Sequence, residues 1–246
     1  MEPPIGRTFI EKTKFPYLGR TDQMNGLPQP PLELPCDEEF PRISLPSYEK
    51  MTHVPIPLAE AIRKRESVRE YARTPLTLDE LAFALWCAQG VKEVVADAAT
   101  FRTVPSAGAR HAFELYFLAN NVSGLKQGLY RFLAIGHVLA AVNLEPGVAY
   151  EIRDGCLGQS FVTQSGATFI WTAVAHRMNW RYGERGYRYL LLDAGHSCQN
   201  LYLAAEAIGC GVCAIAAFDD DTLNHALGID GAEQFTLYVA TLGKKK

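Results

Sequence analysis

Hydrophobic and polar positions along this chain follow three rhythms, and each predicts a different kind of element. The first is helical. Residues 187–208 contain no proline and Gly195 as their only glycine, which leaves room for about six turns at 1.5 Å per residue. Leu190, Leu191, Ala194, Cys198, Leu201, Ala205 and Ile208 recur there at three- and four-residue steps, the spacing of a buried face. Leu192, Gly195, Tyr202, Ala204 and Ala207 fall partly outside that stripe, so the helix is apolar on nearly every side. Such a helix belongs in the middle of a core or between two subunits. A second helix opens at Thr77, in capping-box register with Glu80, and closes at Gly90. Its inner face is Leu78, Leu81, Ala82, Leu85, Trp86 and Gln89. Shorter helices are expected at 58–64, near 146–157 and at 222–227, the last capped from the run Asp219, Asp220 and Asp221.

The second rhythm belongs to strands. In 112–119 (AFELYFLA), Phe113, Leu115 and Phe117 face one way, Glu114 and Tyr116 the other. Residues 168–175 (TFIWTAVA) form a continuous apolar run between Gly166 and His176, as a central strand requires. Further strands are expected at 129–132, 212–218 and 235–242, while 138–142 is apolar but ambiguous and 91–101 (VKEVVADAATF) reads as an exposed loop. The third rhythm is the absence of one. Residues 1–57 carry most of the fourteen prolines, which forbid long regular elements, yet they also hold Phe9, Phe15, Tyr17, Leu18, Leu32, Leu34, Phe40, Ile43, Leu45 and Tyr48. That apolar content predicts an extended arm lying across a surface, of its own subunit or a partner, rather than a disordered tail. The organisation is thus an arm over 1–57 and one domain over 58–246. Strands and helices mixed without regular βαβ spacing argue for the α+β class.

Composition narrows the setting. With 48% hydrophobic and 21% charged residues and a net charge of −3, nothing creates a global field for nucleic acid, apart from the local run Lys244, Lys245 and Lys246. No stretch approaches the ~18 uninterrupted apolar residues of a membrane span, and the first fifteen residues lack a signal-peptide core. Six dispersed cysteines, three in apolar helical or strand contexts, suggest reduced thiols and a cytoplasmic protein.

Four places carry residues suited to chemistry. If 65–71 (RESVREY) is extended, period two puts Arg65, Ser67 and Arg69 on one face, a good grip for an anion because guanidinium forks match phosphate oxygens. On spacing alone the simpler reading is a solvated charged segment balanced by Glu66 and Glu70. Pro105, Ser106, Ala107 and Gly108 form a small-residue loop, either a nest of backbone N–H groups or a plain turn. Residues 209–218 (GCGVCAIAAF) offer small side chains against which a flat ligand could lie. Cys210 and Cys213 within them read as structural, since no second pair stands at metal-ligand spacing. Asp193, His196 and Asn200 lie at i, i+3 and i+7 on the long helix and are explained most simply as satisfied polar residues in a buried helix. No metal site is expected.

Taken together and in this order, these segments resemble the nitroreductase-like FMN oxidoreductases, and within them the azoline-dehydrogenase (SagB-type) branch. The resemblance is carried by RESVREY at 65–71, PLTLDELAFALWCAQGV at 75–91, RTVPSAGARHAFELY at 102–116, GLYRF at 128–132, RYGERGYRYLLLDAGHSCQNLYLAAEAIG at 181–209, CAIAAFDDDTLNHALGID at 213–230 and LYVATLGK at 237–244. It implies a mixed, mostly antiparallel sheet packed by helices, a long central helix at the interface of a homodimer, and two FMN sites between the subunits. It assigns Arg65, Ser67 and Arg69 to the flavin phosphate and the N1/O2 edge, and Pro105, Ser106, Ala107 and Gly108 to the partner's flavin. Ala216 and Ala217 fall beside the ring, with a backbone N–H aimed at N5, and Gly243 and Lys244 near the phosphate.

The activity so implied is FMN-dependent ping-pong hydride transfer from NAD(P)H to a small acceptor such as a nitroaromatic or quinone. Two alternatives go with it: an azoline dehydrogenase of peptide substrates reoxidised by O₂, and a flavin-binding protein without turnover. Azoline oxidases of this branch generally carry a Lys-Tyr pair where this chain has Arg181 and Tyr182. Tyr182 can exchange a proton, whereas arginine stays charged and is a poor general base. Many relatives also have glycine where this chain has Ala216.

Overall fold

A computed structural model describes residues 3–47 and 55–246; residues 1–2 and 48–54, all within the N-terminal arm, lie outside the described residues. Its centre is a seven-stranded sheet, every adjacent pair antiparallel. The strands are β1 (Arg42–Ser44), β4 (Phe113–Ala119), β5 (Gly128–Leu133), β6 (Val138–Asn143), β7 (Ala167–Val174), β8 (Cys210–Ile215) and β9 (Gln234–Lys244), in the spatial order β1-β6-β5-β4-β7-β9-β8. Helices cover both faces, which makes the chain α+β with three layers.

The period-two alternation of the central strands sorts the core into two clusters. On one face Leu115, Phe117, Phe169, Trp171 and Ala240 pack against α3 (Leu78–Gln89) and α7 (Gly186–Ala207) through Leu81, Leu85, Leu190 and Leu201. On the other, Leu118, Ile170 and Val239 meet α4 (Val148–Gly155), α5 (Phe161–Gln164) and α8 (Asp220–Leu227) through Ile152, Val162 and Leu223. β4 is therefore buried along its whole length, on both faces. The sequence alternation of β4 is retained, but its Glu114 face is covered as well.

Local signals explain most boundaries. The capping box at the start of α3 is formed: Thr77 Oγ1 accepts from the Glu80 amide, and Glu80 Oε2 accepts from the Thr77 amide at 2.9 Å. Asp219 caps α8 by accepting from the Thr222 amide at 2.9 Å. Residues 138–142 resolve into strand β6. Residues 91–101 are not a loop but a hairpin, β2 (Val91–Val95) and β3 (Ala99–Arg102). A two-stranded ribbon with much of its surface in solvent needs no strict apolar alternation, so mixed charges hid it. The polar stretch before the long helix contains another helix, α6 (Ala175–Tyr182), separated from α7 by Gly183 at φ 54°. Its periodicity was masked because a core position is filled by Arg177, whose side chain is 1% exposed.

The arm contains α1 (Ile5–Lys12), set between Pro4 and Pro16, followed by a mostly irregular path over its own chain. Arg185, immediately before α7, and Arg188 on it donate to the Thr13 carbonyl and to Thr13 Oγ1, respectively. Trp180 Nε1 donates to the Leu27 carbonyl at 2.9 Å. Arg177 Nε donates to the Pro31 carbonyl at 2.8 Å and Arg131 Nη2 to the Leu34 carbonyl at 2.7 Å, before β1 joins the sheet beside β6. Proline removes backbone donors, so side chains of the domain supply many of these links.

Beneath this path lies a buried ionic cluster. Glu114 Oε2 accepts from Arg131 at 2.8 Å, while Oε1 accepts from Arg177 at 2.7 Å and from the Leu34 amide at 2.7 Å. Burial alone would raise the Glu114 pKa, but the two guanidiniums and the hydrogen bonds outweigh it and hold the carboxyl below its ordinary range.

Candidate functional site

After α2 (Leu58–Lys64), residues 65–71 run extended beside β8, with Ser67 bridged in parallel to Val212 and the Val68 amide donating to the Val212 carbonyl at 2.9 Å. Val68 packs onto Gly211, where an added Cβ would come within 2.5 Å of it. That contact fixes the register: Val68 turns inward, and Ser67 and Arg69 are exposed, with Arg65 half-buried. Neither Arg65 nor Arg69 has a carboxylate within ion-pair distance among the described residues. Ser67 Oγ is 3.0 Å from the hydroxyl of Tyr202 on α7, the Ala214 amide donates to the same hydroxyl at 2.9 Å, and the Arg65 guanidinium sits 5.2 Å from the Tyr202 ring centroid. Arg69 also lines an open groove of about 1030 Å³ together with Arg73, Lys246 and Gly166.

The small-residue loop makes a second cluster. Gly108 has φ 56°, and a Cβ there would lie 2.4 Å from the Tyr182 hydroxyl and 3.2 Å from Arg181 Nε, so only glycine admits this approach. Ser106 Oγ accepts from the His111 amide at 2.9 Å, which closes the loop. Asp193, buried on α7, has its pKa raised by burial, an effect only partly offset by the Ser106 side chain and the Ala107 amide. The Asp193–His196 separation is 4.0 Å, whereas Asn200 donates to the carbonyls of Cys87 and Thr103 at 3.1 and 3.3 Å. Asn200 thus serves packing, and Asp193 belongs to the loop.

Ala216 and Ala217 follow β8 and are exposed, the Ala217 carbonyl accepting from Gln159 at 3.0 Å. Lys244 is less open than its position in sequence suggests. Its ammonium pairs with Glu80 and donates to the Ile208 carbonyl at 3.0 Å. Gly243 lies against the Tyr71 ring, 2.7 Å from where a Cβ would stand. Cys210 and Cys213 are free and buried; burial raises both thiols, Cys210 to about 12, which leaves little reactive thiolate at neutral pH. Among the described residues no group of three or more His, Cys, Asp or Glu could hold a metal ion, and no helix is long and apolar enough to cross a membrane.

A sequence profile of the Nitroreductase family matches residues 62–244. The chain belongs to this family. A Methanocaldococcus jannaschii protein assigned as a nitroreductase is 35% identical over 203 residues, covering 82% of this chain and 96% of the relative. The trifolitoxin-processing protein TfxB of Rhizobium leguminosarum bv. trifolii is 27% identical over 199 residues, 76% of this chain and 53% of TfxB. Among solved structures, a protein of Anabaena variabilis assigned as a nitroreductase superposes with a TM-score of 0.68 at 28% identity, over 85% of this chain and 42% of that one. A Desulfovibrio desulfuricans counterpart, crystallised with FMN, shares the fold with a TM-score of 0.55 at 16% identity, over 77% of this chain and 87% of its own.

Within this nitroreductase-family chain the two clusters sit at different levels of α7. Asp193 marks the Ser106 loop, and Tyr202, nine residues on and about 14 Å further along the axis, marks the Arg65 segment. One chain therefore brings Arg65, Ser67 and Arg69 together beside β8, and Gly108 together with Tyr182, but does not merge the two sets. Sequence reasoning missed Tyr202, which it read only as a residue beside the buried stripe. It also missed that Asp193 lies against the Ser106 loop.

Proposed function

We propose that this protein is an FMN-dependent oxidoreductase that takes reducing equivalents from NAD(P)H and passes them to a small acceptor by ping-pong chemistry. The observation that carries this reading is the Arg65–Ser67–Arg69 edge: two guanidiniums without carboxylate partners among the described residues and the hydroxyl of an exposed serine, aligned on an extended segment beside β8. That donor set fits a phosphate dianion, which guanidinium forks bind with charge-assisted hydrogen bonds. The exposed alanines 216 and 217 keep the end of β8 uncluttered for a planar ring. FMN, when bound there, supplies the hydride-accepting and hydride-donating centre. Fixed cations at this edge favour negative charge wherever it develops beside them. Tyr182, half-buried with its hydroxyl over Gly108, is the residue that can hand a proton to an acceptor.

In this reading two copies complete each site, the Pro105–Gly108 loop of one meeting the Arg65 edge of the other. Support comes from exposed apolar side chains at the positions such pairing would cover: Leu191 and Leu192 on α7 at 56% and 58% exposure, and Leu58 and Ile62 on α2 at 66% and 56%. Sedimentation equilibrium should then return about twice the 27.2 kDa chain mass, and an active monomer would contradict the shared site. A cytoplasmic location accords with the six free cysteines.

TfxB favours a second reading, oxidation of azolines in a peptide substrate with O₂ as the final acceptor. Arg181 speaks against it, since it replaces a potential base with a permanent cation. Anaerobic addition of NADH or NADPH to the yellow protein separates the cases. Bleaching, followed by recovery with a nitroaromatic or quinone, is expected. Colour that persists with both nicotinamides would leave azoline oxidation or flavin binding without turnover.

A further inference from the structure

The hydroxyl of Tyr202 has one hydrogen, and its surroundings decide where that hydrogen goes. Its oxygen already accepts from the Ala214 amide at 2.9 Å, and Ser67 Oγ lies 3.0 Å away. If Ser67 were the donor, the tyrosine oxygen would accept twice and its own hydrogen would be stranded in a residue only 8% exposed. The satisfied arrangement has Tyr202 donating to Ser67 Oγ. The Ser67 hydrogen is then free to turn outward, and Ser67 is exposed on the same face as Arg65 and Arg69. The Tyr202 ring, meanwhile, lies under the Arg65 guanidinium at 5.2 Å.

We propose that Tyr202 is a positioning residue that makes Ser67 an outward hydrogen-bond donor and holds Arg65 beside it, so that this edge selects a ligand ending in a phosphomonoester over the same ligand ending in a hydroxyl. The proposal rests on the flavin reading above. It deepens that reading by assigning part of the discrimination between FMN and riboflavin to a side chain that acts through Ser67 and Arg65. A phosphate oxygen only accepts, so it gains from a fixed O–H donor; a riboflavin hydroxyl can reverse its own role and gains little.

The test is titration of FMN and of riboflavin, followed by fluorescence, into flavin-free wild-type protein, Tyr202→Phe, Ser67→Ala and the double variant. Tyr202→Phe keeps the ring beneath Arg65 and removes only the hydroxyl. It should weaken FMN binding about tenfold while leaving riboflavin within about twofold, and in the Ser67→Ala background it should leave the FMN-to-riboflavin ratio unchanged. Ser67→Ala alone should lower that ratio by a similar factor, which keeps the test decisive should Tyr202→Phe fold poorly. Equal weakening of both flavins by Tyr202→Phe, or an unchanged ratio in Ser67→Ala, would overturn the proposal. Wild-type protein that binds neither flavin would remove the flavin reading itself. Wild-type protein that prefers FMN, with Tyr202→Phe keeping that preference, would remove this inference alone.

Discussion

Arg65→Ala should purify as a colourless protein, with FMN affinity reduced on the order of 100-fold or more. Arg65 carries its charge without a carboxylate partner among the described residues, so the substitution breaks no internal ion pair. Its half-buried position at the C-terminal end of α2 means that little packing is lost. What would be lost is one of two guanidiniums facing the proposed phosphate, and truncating one partner of a close charge pair costs about 2–5 kcal/mol. Arg65→Lys should fall between: the charge remains, but the fork geometry and the stacking over Tyr202 do not. The ratio of flavin to protein absorbance measures the effect directly, and thermal melting of the flavin-free variant, expected near wild type, serves as the control. Stoichiometric flavin retained in Arg65→Ala would take this residue out of the site.

How much of this could be read from the sequence depended on whether a signal was local. The capping box at Thr77 and Glu80 lies within one turn, and the apolar run at 168–175 is its own signal of a strand covered on both faces. The face shared by Arg65, Ser67 and Arg69 follows from period two alone once the segment is extended. The misses are residues whose role is set by something far away in the chain. Tyr202 meets Ser67 across 135 positions, and nothing in its helix reveals that meeting. Arg177 gives no sign in its own polar segment of being a core residue, because its partner Glu114 stands 63 positions earlier, at the end of a strand that arm residues 31–35 cover. Lys244 belongs by sequence to a run of three lysines, and the capping box already gives Glu80 a local role, so nothing nearby in the chain points to their pairing. Glu80 does both, using one oxygen for each.

Glu114→Gln should destabilise the fold by about 3–5 kcal/mol, the usual cost of removing one member of a buried charge group, against a total near 5–15 kcal/mol for a domain. The amide is close in shape to the carboxylate, so the cost is electrostatic: Arg131 and Arg177, at 5% and 1% exposure, lose their counter-ion. The Leu34 amide loses a charged acceptor as well, so residues 31–35 of the arm should become protease-sensitive before the domain does. The pH dependence has a definite sign. Because the folded pKa of Glu114 lies below its ordinary value, the folded state binds fewer protons than the unfolded state between the two values. Its contribution is therefore present above about pH 4.5 and is lost as pH falls through the depressed folded value. Glu33 nearby shifts the other way, raised by burial and by Glu114, and favours the fold at low pH. The wild-type curve alone mixes the two, so the difference between wild type and Glu114→Gln is the quantity to follow. Urea midpoints taken from pH 7 down to pH 3 should converge as acid neutralises Glu114, with protease cleavage near Leu34 marking release of the arm. Midpoints that coincide at pH 7 would show that the ionic cluster does not hold this part of the molecule together.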